Sequence, residues 1–261
     1  MINKILYFFV LLLAIGSCKL TENSFDERNV RILLNNDPET LNPYNLTSST
    51  AGYLCKHLFQ PLIDIDQESS ELVAVLAKEV PVLEKDVDGK WYLDIEIKDA
   101  ARWDDGSEID ADDVIFSIKL LKLPLIDNPA LKPYFDKVEY IKANERNNKK
   151  LRIGFKSEYI QMVLCLPDLF ILPSHIIDKS ASLNKLSFSD IVLGKYGEDS
   201  LKIMELANNF NGDKYQRDGL ALRGSGPYTL KEWHTGQRIV LEKKENWWGE
   251  KYVSENMFFE S

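Results

Sequence analysis

The sequence predicts an α/β fold, and three observations support this prediction. Residues 30–66 follow the order strand, polar loop, helix and strand. Residues 91–97 alternate between apolar and polar side chains, which is typical of a half-buried strand. Behind an acidic cap, residues 110–122 repeat apolar side chains at helical spacing. An α/β domain uses such an order of elements to present a ligand at the carboxyl ends of its strands.

The first 29 residues are expected to lie outside the folded domain. A short basic start precedes an apolar run over residues 5–15, which is too short to span a bilayer but suits a secretory signal. The run leads into Gly-Ser-Cys, and small residues before a cysteine resemble the lipobox of bacterial lipoproteins, in which the cysteine is acylated. We therefore expect residues 1–17 to be a lipoprotein signal peptide, Cys18 to carry the lipid, and residues 18–29 to form a polar tether. An ordinary signal peptide that happens to contain Cys18 is the alternative.

Charge and composition exclude some classes of function. The 261-residue chain has a formal net charge of −9 at pH 7, so it lacks the basic patch that nucleic acid or an anionic membrane surface would need. Cys55 and Cys165 stand in apolar surroundings, which favours buried thiols over a disulfide. The isolated histidines supply no set of metal ligands. We expect no metal and no cofactor.

The opening elements of the folded part are a strand over residues 30–34, a loop fixed by two prolines, a helix over residues 51–59 and a strand over residues 61–66. The polar segment 47–50 lies where this helix begins. Two interpretations of the segment remain open, namely contact with a ligand or simply a helix cap and loop.

The next stretch contains a helical segment and a hairpin. Residues 71–79 have helical propensity. The alternating strand over residues 91–97 is expected to pair with residues 80–83 across a turn at residues 86–89.

A tight turn and a capped helix follow. Asp-Asp-Gly at residues 104–106 favours a reversal of the chain, and Asp110 stands where an N-cap belongs. The apolar face of this helix is expected to extend to Leu125. Five aspartates lie between residues 104 and 113, but turn and cap account for them better than a metal site or an acid–base pair, because the spacing lacks the pattern of a calcium loop.

The remaining elements are read from short periodic runs. They are strands over 138–143 and 151–155 joined by a polar loop at 144–150, helices over 159–166 and 200–210, and strands over 228–233 and 238–243 joined by a turn at 235–236.

Three motifs, in this order, resemble those of one protein family. The chain contains Asp-Pro-x-Thr-Leu-Asn-Pro from residue 37, Trp-x-Asp-Gly-x-x-x-x-Ala-x-Asp-Val-x-Phe-Ser from residue 103, and Gly-x-Gly-Pro-Tyr from residue 224 followed by two strands and Asn-x-x-Gly. They resemble the family 5 extracellular solute-binding proteins, the peptide- and oligopeptide-binding components of bacterial ABC importers. Structural roles are carried over to Trp103, Asp105, Gly106, Asp113, Ser117, Gly226, Pro227 and Tyr228.

The resemblance implies a fold and its division into lobes. The expected fold is the periplasmic-binding-protein-like fold of type II, an α/β fold that is here truncated, with the second large lobe missing. Residues 30–60 and 156–261 would form an incomplete large lobe, and residues 61–155 an inserted small lobe. We expect the sequence to be the N-terminal portion of a longer protein, or else a lobe that needs a partner chain.

The resemblance also implies a function without enzymatic activity. The protein would capture peptides in the periplasmic space, anchored to the membrane by its N-terminal lipid, and deliver them to ABC permease and ATPase subunits. Alternatives are a binder of a nickel chelate, sugar or heme, and a truncated, non-transporting interaction lipoprotein. A hydrolase would need a nucleophile and base that the sequence does not pair. Ligand contact is carried over to Thr47, Ser48, Ser49, Thr50, Tyr134 and Ser225.

Overall fold

The computed structural model of the protein describes residues 30–158 and 161–252, in which short strands and helices are mixed as predicted. The strands are β1 (Ile63–Ile65), β2 (Leu72–Ala74), β3 (Leu83–Lys85), β4 (Trp91–Glu96), β5 (Val138–Asn144), β6 (Asn147–Phe155), β7 (Tyr228–His234) and β8 (Arg238–Lys243). The helices are α1 (Ser49–Leu58), α2 (Ala111–Lys122), α3 (Gln161–Leu164), α4 (Ser174–Ile177), α5 (Ser182–Lys185), α6 (Phe188–Val192), α7 (Ser200–Asn211) and α8 (Lys214–Arg217). Within these residues, no helix combines the length and the apolar character that crossing a membrane requires.

An antiparallel sheet in the order β3-β4-β6-β5 forms the largest β element of the described residues. Leu93, Ile95 and Ile97 are buried on one side, as their alternation predicts. Helix α2 packs on this side, against β5 and β6. The hairpin between β3 and β4 confirms the predicted turn, although β3 begins only at Leu83.

Helix α2 begins as predicted and ends earlier. Asp110 accepts a hydrogen bond from the Asp112 amide at 2.9 Å, and with Asp113 it forms a capping box. The helix ends at Lys122 because Pro124 follows and disfavours helical backbone before it. The prediction that Leu125 belongs to the buried face is therefore wrong, since Leu125 is 41% exposed.

Three other element predictions need correction. Residues 71–79 are not a helix, because Asp66 accepts bonds from two amides of its own turn and the chain returns as β2 along β1. Residues 30–34 have no regular structure and pair with none of the described strands, and a strand is stable only beside a partner. The loop predicted at 144–150 is shorter, since β6 begins at Asn147.

The C-terminal hairpin and helix α7 confirm their predictions, with β7 and β8 paired across the turn at 235–236. Of the helix predicted over 159–166, α3 covers Gln161–Leu164, and residues 159–160 lie outside the described part. Residues Leu34–Tyr252 belong to one compact unit. The division of this unit into two lobes stays a prediction.

The core of this unit joins distant segments. Tyr44 is buried, and its hydroxyl group lies 3.0 Å from the Ser117 carbonyl oxygen and 3.2 Å from that of Phe170. Cys55 and Cys165 are buried thiols. Burial raises the pKa of Cys55, and it raises the pKa of Cys165 to about 12. Both thiols are therefore protonated at neutral pH.

Candidate functional site

A cleft of about 1230 Å³ lies against the β7–β8 hairpin. Residues of the segment 217–223, of the segment 244–248 after β8 and of the turn at residues 102–106 complete its lining. Three half-buried indoles, those of Trp233, Trp247 and Trp248, form part of the wall. The lining combines these aromatic rings with many charged side chains. Concave surfaces with aromatic walls are where ligands usually bind, so this cleft is the candidate functional site.

One end of the cleft is built around Trp233. The guanidinium group of Arg217 lies 4.5 Å from the centre of the indole and donates hydrogen bonds to Thr235 Oγ1 at 2.9 Å and to the Glu39 carbonyl oxygen at 3.3 Å. The indole Nε1 donates to Asp37 Oδ1 at 3.3 Å. These contacts connect the cleft to the loop that precedes α1.

The predicted ligand segment 47–50 contacts the side chain of Glu39, whereas Arg217 of the cleft contacts the backbone of the same residue. Ser48 is the N-cap of α1, since its Oγ accepts from the Ala51 amide at 3.2 Å, and it donates to Glu39 Oε2 at 3.0 Å. The pKa of Glu39 is lowered by a hydrogen bond from the backbone of Glu39 itself and by hydrogen bonds from the hydroxyls of Ser48 and Thr47. Thr50 is buried and donates to Asn36 Oδ1 at 2.8 Å. The segment thus includes the helix cap, while Thr47 and Ser49 are exposed.

The other end of the cleft rests on Ser225. The Ser225 carbonyl oxygen accepts hydrogen bonds from both indoles, from Trp247 Nε1 at 2.7 Å and from Trp248 Nε1 at 3.1 Å. The residue is 1% exposed, and its hydroxyl has no hydrogen-bond partner among the described residues. Ser225 therefore orients two walls of the cleft through its backbone. Gly226 beside it donates its amide to the Leu58 carbonyl oxygen at 3.0 Å and so joins this loop to α1.

An ion pair lies where the hairpin meets the turn at residues 102–106. Lys244 Nζ is 2.6 Å from Asp104 Oδ1 and donates to the Gly224 carbonyl oxygen at 2.8 Å. The lysine side chain is only 12% exposed. Burial lowers the pKa of Lys244, Asp104 opposes this shift, and the nearby charge of Arg223 adds to it.

The Trp103 motif connects α2 to the segment around α4. Trp103 Nε1 donates to Asp113 Oδ2 at 3.0 Å, and Ser174 donates to Asp113 Oδ1 through its amide at 3.0 Å and its hydroxyl at 2.7 Å. The Ser117 hydroxyl accepts from the Leu172 amide at 2.9 Å. These side chains hold the turn at residues 102–106 in place beside the cleft.

Next to this motif, Asp105, Ser107 and His175 form a partly exposed polar cluster. His175 Nε2 lies 2.7 Å from Asp105 Oδ2 and 3.3 Å from Ser107 Oγ. In a Ser-His-Asp catalytic site the acid and the nucleophile contact different ring nitrogens, whereas here both contact Nε2. The cluster therefore does not have the geometry that activates a serine. Although burial opposes it, hydrogen bonds from Ser107 and His175 lower the pKa of Asp105 to about 2.

Tyr134 is the last of the predicted ligand residues. It belongs to a 3-10 helix, Lys132–Phe135, and is 43% exposed. Like Thr47, Ser48, Ser49, Thr50 and Ser225, it is not among the described residues that line the cleft. In the described ranges 30–158 and 161–252, no three His, Cys, Asp or Glu side chains come together as metal ligands would.

Sequence reasoning did not single out several side chains of the cleft, among them those of Arg217, Arg223 and Trp233. The two arginines fall in a polar stretch without a recognisable motif. Only their charge in a loop before a predicted hairpin would have drawn attention to them.

Comparison with known proteins identifies relatives of the chain. Residues 71–256 match the family model for bacterial extracellular solute-binding proteins, family 5. The oligopeptide-binding protein AppA of Bacillus subtilis is 28% identical over 170 residues, which are 62% of this chain and 25% of that protein. The peptidoglycan-binding protein YepA of Agrobacterium fabrum is 24% identical over 166 residues, 62% of this chain and 21% of that protein.

A solved structure shows the same fold. The oligopeptide-binding protein of Thermus thermophilus, complexed with a pentapeptide, aligns with a TM-score of 0.60 and 24% identity over 81% of this chain and 36% of that chain. The fold is thus the predicted periplasmic-binding-protein-like fold of type II. The chain spans only about a fifth to a third of the length of the curated relatives it matches.

Proposed function

Because the chain belongs to the family 5 bacterial extracellular solute-binding proteins, we propose that it captures peptides for an ABC importer. The observation that carries this proposal is the cleft with its indole walls and charged rim. An extended peptide is held by hydrogen bonds to its main chain and by pockets for alternate side chains. The indoles of Trp233, Trp247 and Trp248 offer such pockets.

We place additional contacts on the rim beyond Trp233. Thr47 and Ser49 are exposed, so their hydroxyls are available to a peptide main chain, whereas Ser48 and Thr50 act by fixing the start of α1. The ring of Tyr134, which is 43% exposed, is a further proposed contact outside the cleft lining. Ser225 belongs to the proposed set through its backbone, which orients two indoles, because its hydroxyl is buried. Named relatives with a peptide ligand include the oligopeptide-binding protein AppA.

The proposed location is the periplasmic space. Cys18, which lies outside the described residues, would carry the lipid that anchors the protein to the membrane. There the protein would hand its peptide to the permease and ATPase subunits of the importer. The mass of the protein released from source-cell membranes tests the anchor, because Cys18→Ser should abolish an added acyl mass. An unmodified N-terminus would contradict this part of the proposal.

Peptide binding is best measured through the indoles that line the cleft. A mixture of random pentapeptides titrated into the full chain should change the tryptophan fluorescence saturably, and Trp233→Ala should weaken the apparent affinity about tenfold, as expected for loss of an aromatic contact. Tyr134→Ala and Ser49→Ala would show whether these residues contribute.

Matched ligands and a matched variant decide the outcome. Mannose oligosaccharides at the same concentration serve as the control ligand, and Trp91→Ala, away from the cleft lining, serves as the control variant. Saturation by the saccharides alone, or no response to peptides in a folded protein, would contradict the proposed function.

A further inference from the structure

The cleft carries a positive charge that no described carboxylate offsets. Arg223 lines the cleft and is half-buried. Within residues 30–158 and 161–252 its guanidinium group takes part in no ion pair and no hydrogen bond. Half-burial of an uncompensated charge is unfavourable, so a bound anion would stabilise this position.

The nearby carboxylate is already used. Asp104 lies 2.6 Å from Lys244 Nζ, whose side chain is only 12% exposed. Arg223 therefore adds a second positive charge beside one neutralised pair. The same proximity explains why Arg223 contributes to the lowered pKa of Lys244.

The guanidinium group of Arg217, at the end of α8, has a different role. Arg217 is stacked on Trp233 and donates hydrogen bonds to Thr235 and to the Glu39 backbone. It is exposed to solvent, whereas Arg223 lies deeper. Arg223 is thus the better placed of the two to bind an anion out of bulk water.

Pairing among the charged side chains of the cleft sets Arg223 apart from the other cations. The protein as a whole has a formal net charge of −9, whereas the lining has more basic than acidic side chains. The basic ones are Arg102, Arg217, Arg223, Lys231, Lys243 and Lys244, and the acidic ones are Asp104, Asp218, Glu232, Glu242 and Glu245. Most of them are paired: Arg102 with Glu108, Lys231 with Glu242, Lys243 with Glu250, Lys244 with Asp104, and Glu232 with Arg238. Arg223 is in none of these pairs.

We propose that the cleft binds the carboxyl-terminal end of the peptide, with Arg223 as the counter-ion of its terminal carboxylate. This inference rests on the proposed function and names the end of the ligand that the cleft holds. A guanidinium group matches a carboxylate with two parallel hydrogen bonds, and partial exclusion of water strengthens the attraction. The adjacent indoles of Trp247 and Trp248 pack on the side chain of the last residue.

The test compares one peptide in two forms. Ala-Ala-Phe-Ala-Phe is prepared as the free acid and as the C-terminal amide, and each is titrated into the full chain by calorimetry. The free acid should bind about ten- to a hundredfold more tightly, as expected for a charge-assisted hydrogen bond. Arg223→Gln should abolish this preference, and Arg223→Lys should keep part of it.

A matched variant and a folding control make the result decisive. Arg146→Gln removes the same charge from an exposed turn and should leave the preference unchanged, while thermal melting verifies that each variant is folded. Equal binding of acid and amide by the wild type overturns the inference and leaves the proposed function intact. Binding of neither form by the folded protein overturns both.

Discussion

Two glycines show how closely single residues are fitted beside the cleft. A Cβ atom on Gly224 would lie 2.1 Å from the Leu58 carbonyl oxygen, and one on Gly226 would lie 2.5 Å from the His57 carbonyl oxygen. The neighbours are backbone atoms of α1, which cannot rotate away. The loop that carries Ser225 therefore approaches the helix only because these positions have no side chain.

Gly226→Ala should lower the free energy of unfolding by about 1–3 kcal/mol, because the added methyl group overpacks a backbone contact. Urea denaturation monitored by circular dichroism measures the change. Gly52→Ala is the matched control, since no heavy atom lies within 4 Å of its Cβ position, and alanine in a helix should add about 0.5–1 kcal/mol. Equal effects of the two substitutions would show that the close approach is absent.

At the scale of elements, the start of α2 depends on local contacts. Asp110 accepts from the Asp112 amide, and Asp113 Oδ2 lies 3.3 Å from the Asp110 amide nitrogen. Burial raises the pKa of Asp110, and the neighbouring carboxylates of Asp113 and Asp112 add to this. Hydrogen bonds thus stabilise the start of α2, whereas repulsion between the neighbouring carboxylates destabilises it.

Asp110→Ala should destabilise the protein by about 0.5–2 kcal/mol, the usual cost of a lost N-cap. Asp110→Asn keeps the acceptor and removes the repulsion, so its stability should equal or exceed that of the wild type. Thermal melting at neutral pH compares the three proteins. A loss with Asn as large as that with Ala would mean that the charge, rather than the hydrogen bond, caps the helix.

The elements that were predicted correctly from the sequence are those whose structure is determined by residues close to them in the sequence. Helix α2 has its own cap, and the β7–β8 hairpin has its own turn at Gly236, whose φ is 71°. Strand β2 was mistaken for a helix because residues 72–74 gain their stability from β1, whose pairing no local propensity reveals. Predicting such a strand requires knowing the strand with which it pairs.

The same distinction applies to the candidate site. The motif around Ser225 indicated a loop of importance, but the role of its carbonyl oxygen depends on Trp247 and Trp248, more than twenty residues away. Arg217 and Trp233 meet Asp37 and Glu39 only through the fold. Contacts between distant residues define most of the cleft, and a single sequence does not encode them in its spacing.

At the scale of the whole molecule, segments distant in sequence are joined by a few polar contacts. Asp113 connects Trp103 to Ser174, and Asp105 connects the neighbouring turn to His175. Tyr44 reaches the backbone of Ser117 from the other side. Because these contacts involve one aspartate with a lowered pKa, the stability of the molecule depends on pH.

The pKa of Asp105 is about 2 in the folded protein, below its ordinary value of 3.8. Its contribution to the free energy of unfolding is therefore fully present above about pH 5 and is lost as the pH falls towards about 2. Urea denaturation across this range should show a smaller pH dependence for Asp105→Asn than for the wild type. Asp88→Asn in an exposed turn is the control of equal charge, and identical slopes for all three proteins would contradict the prediction.

The two buried thiols have a consequence for the life of the protein in an oxidising compartment. Thiol–disulfide exchange requires a thiolate that an oxidant can reach, and Cys55 lies in the core with its sulfur 3.3 Å from the Leu41 carbonyl oxygen. Folding itself is thus the protection against oxidative mispairing. In the proposed periplasmic location, the time between export and folding is the period during which Cys55 and Cys165 are vulnerable, so rapid folding there matters for quality control as well as for binding.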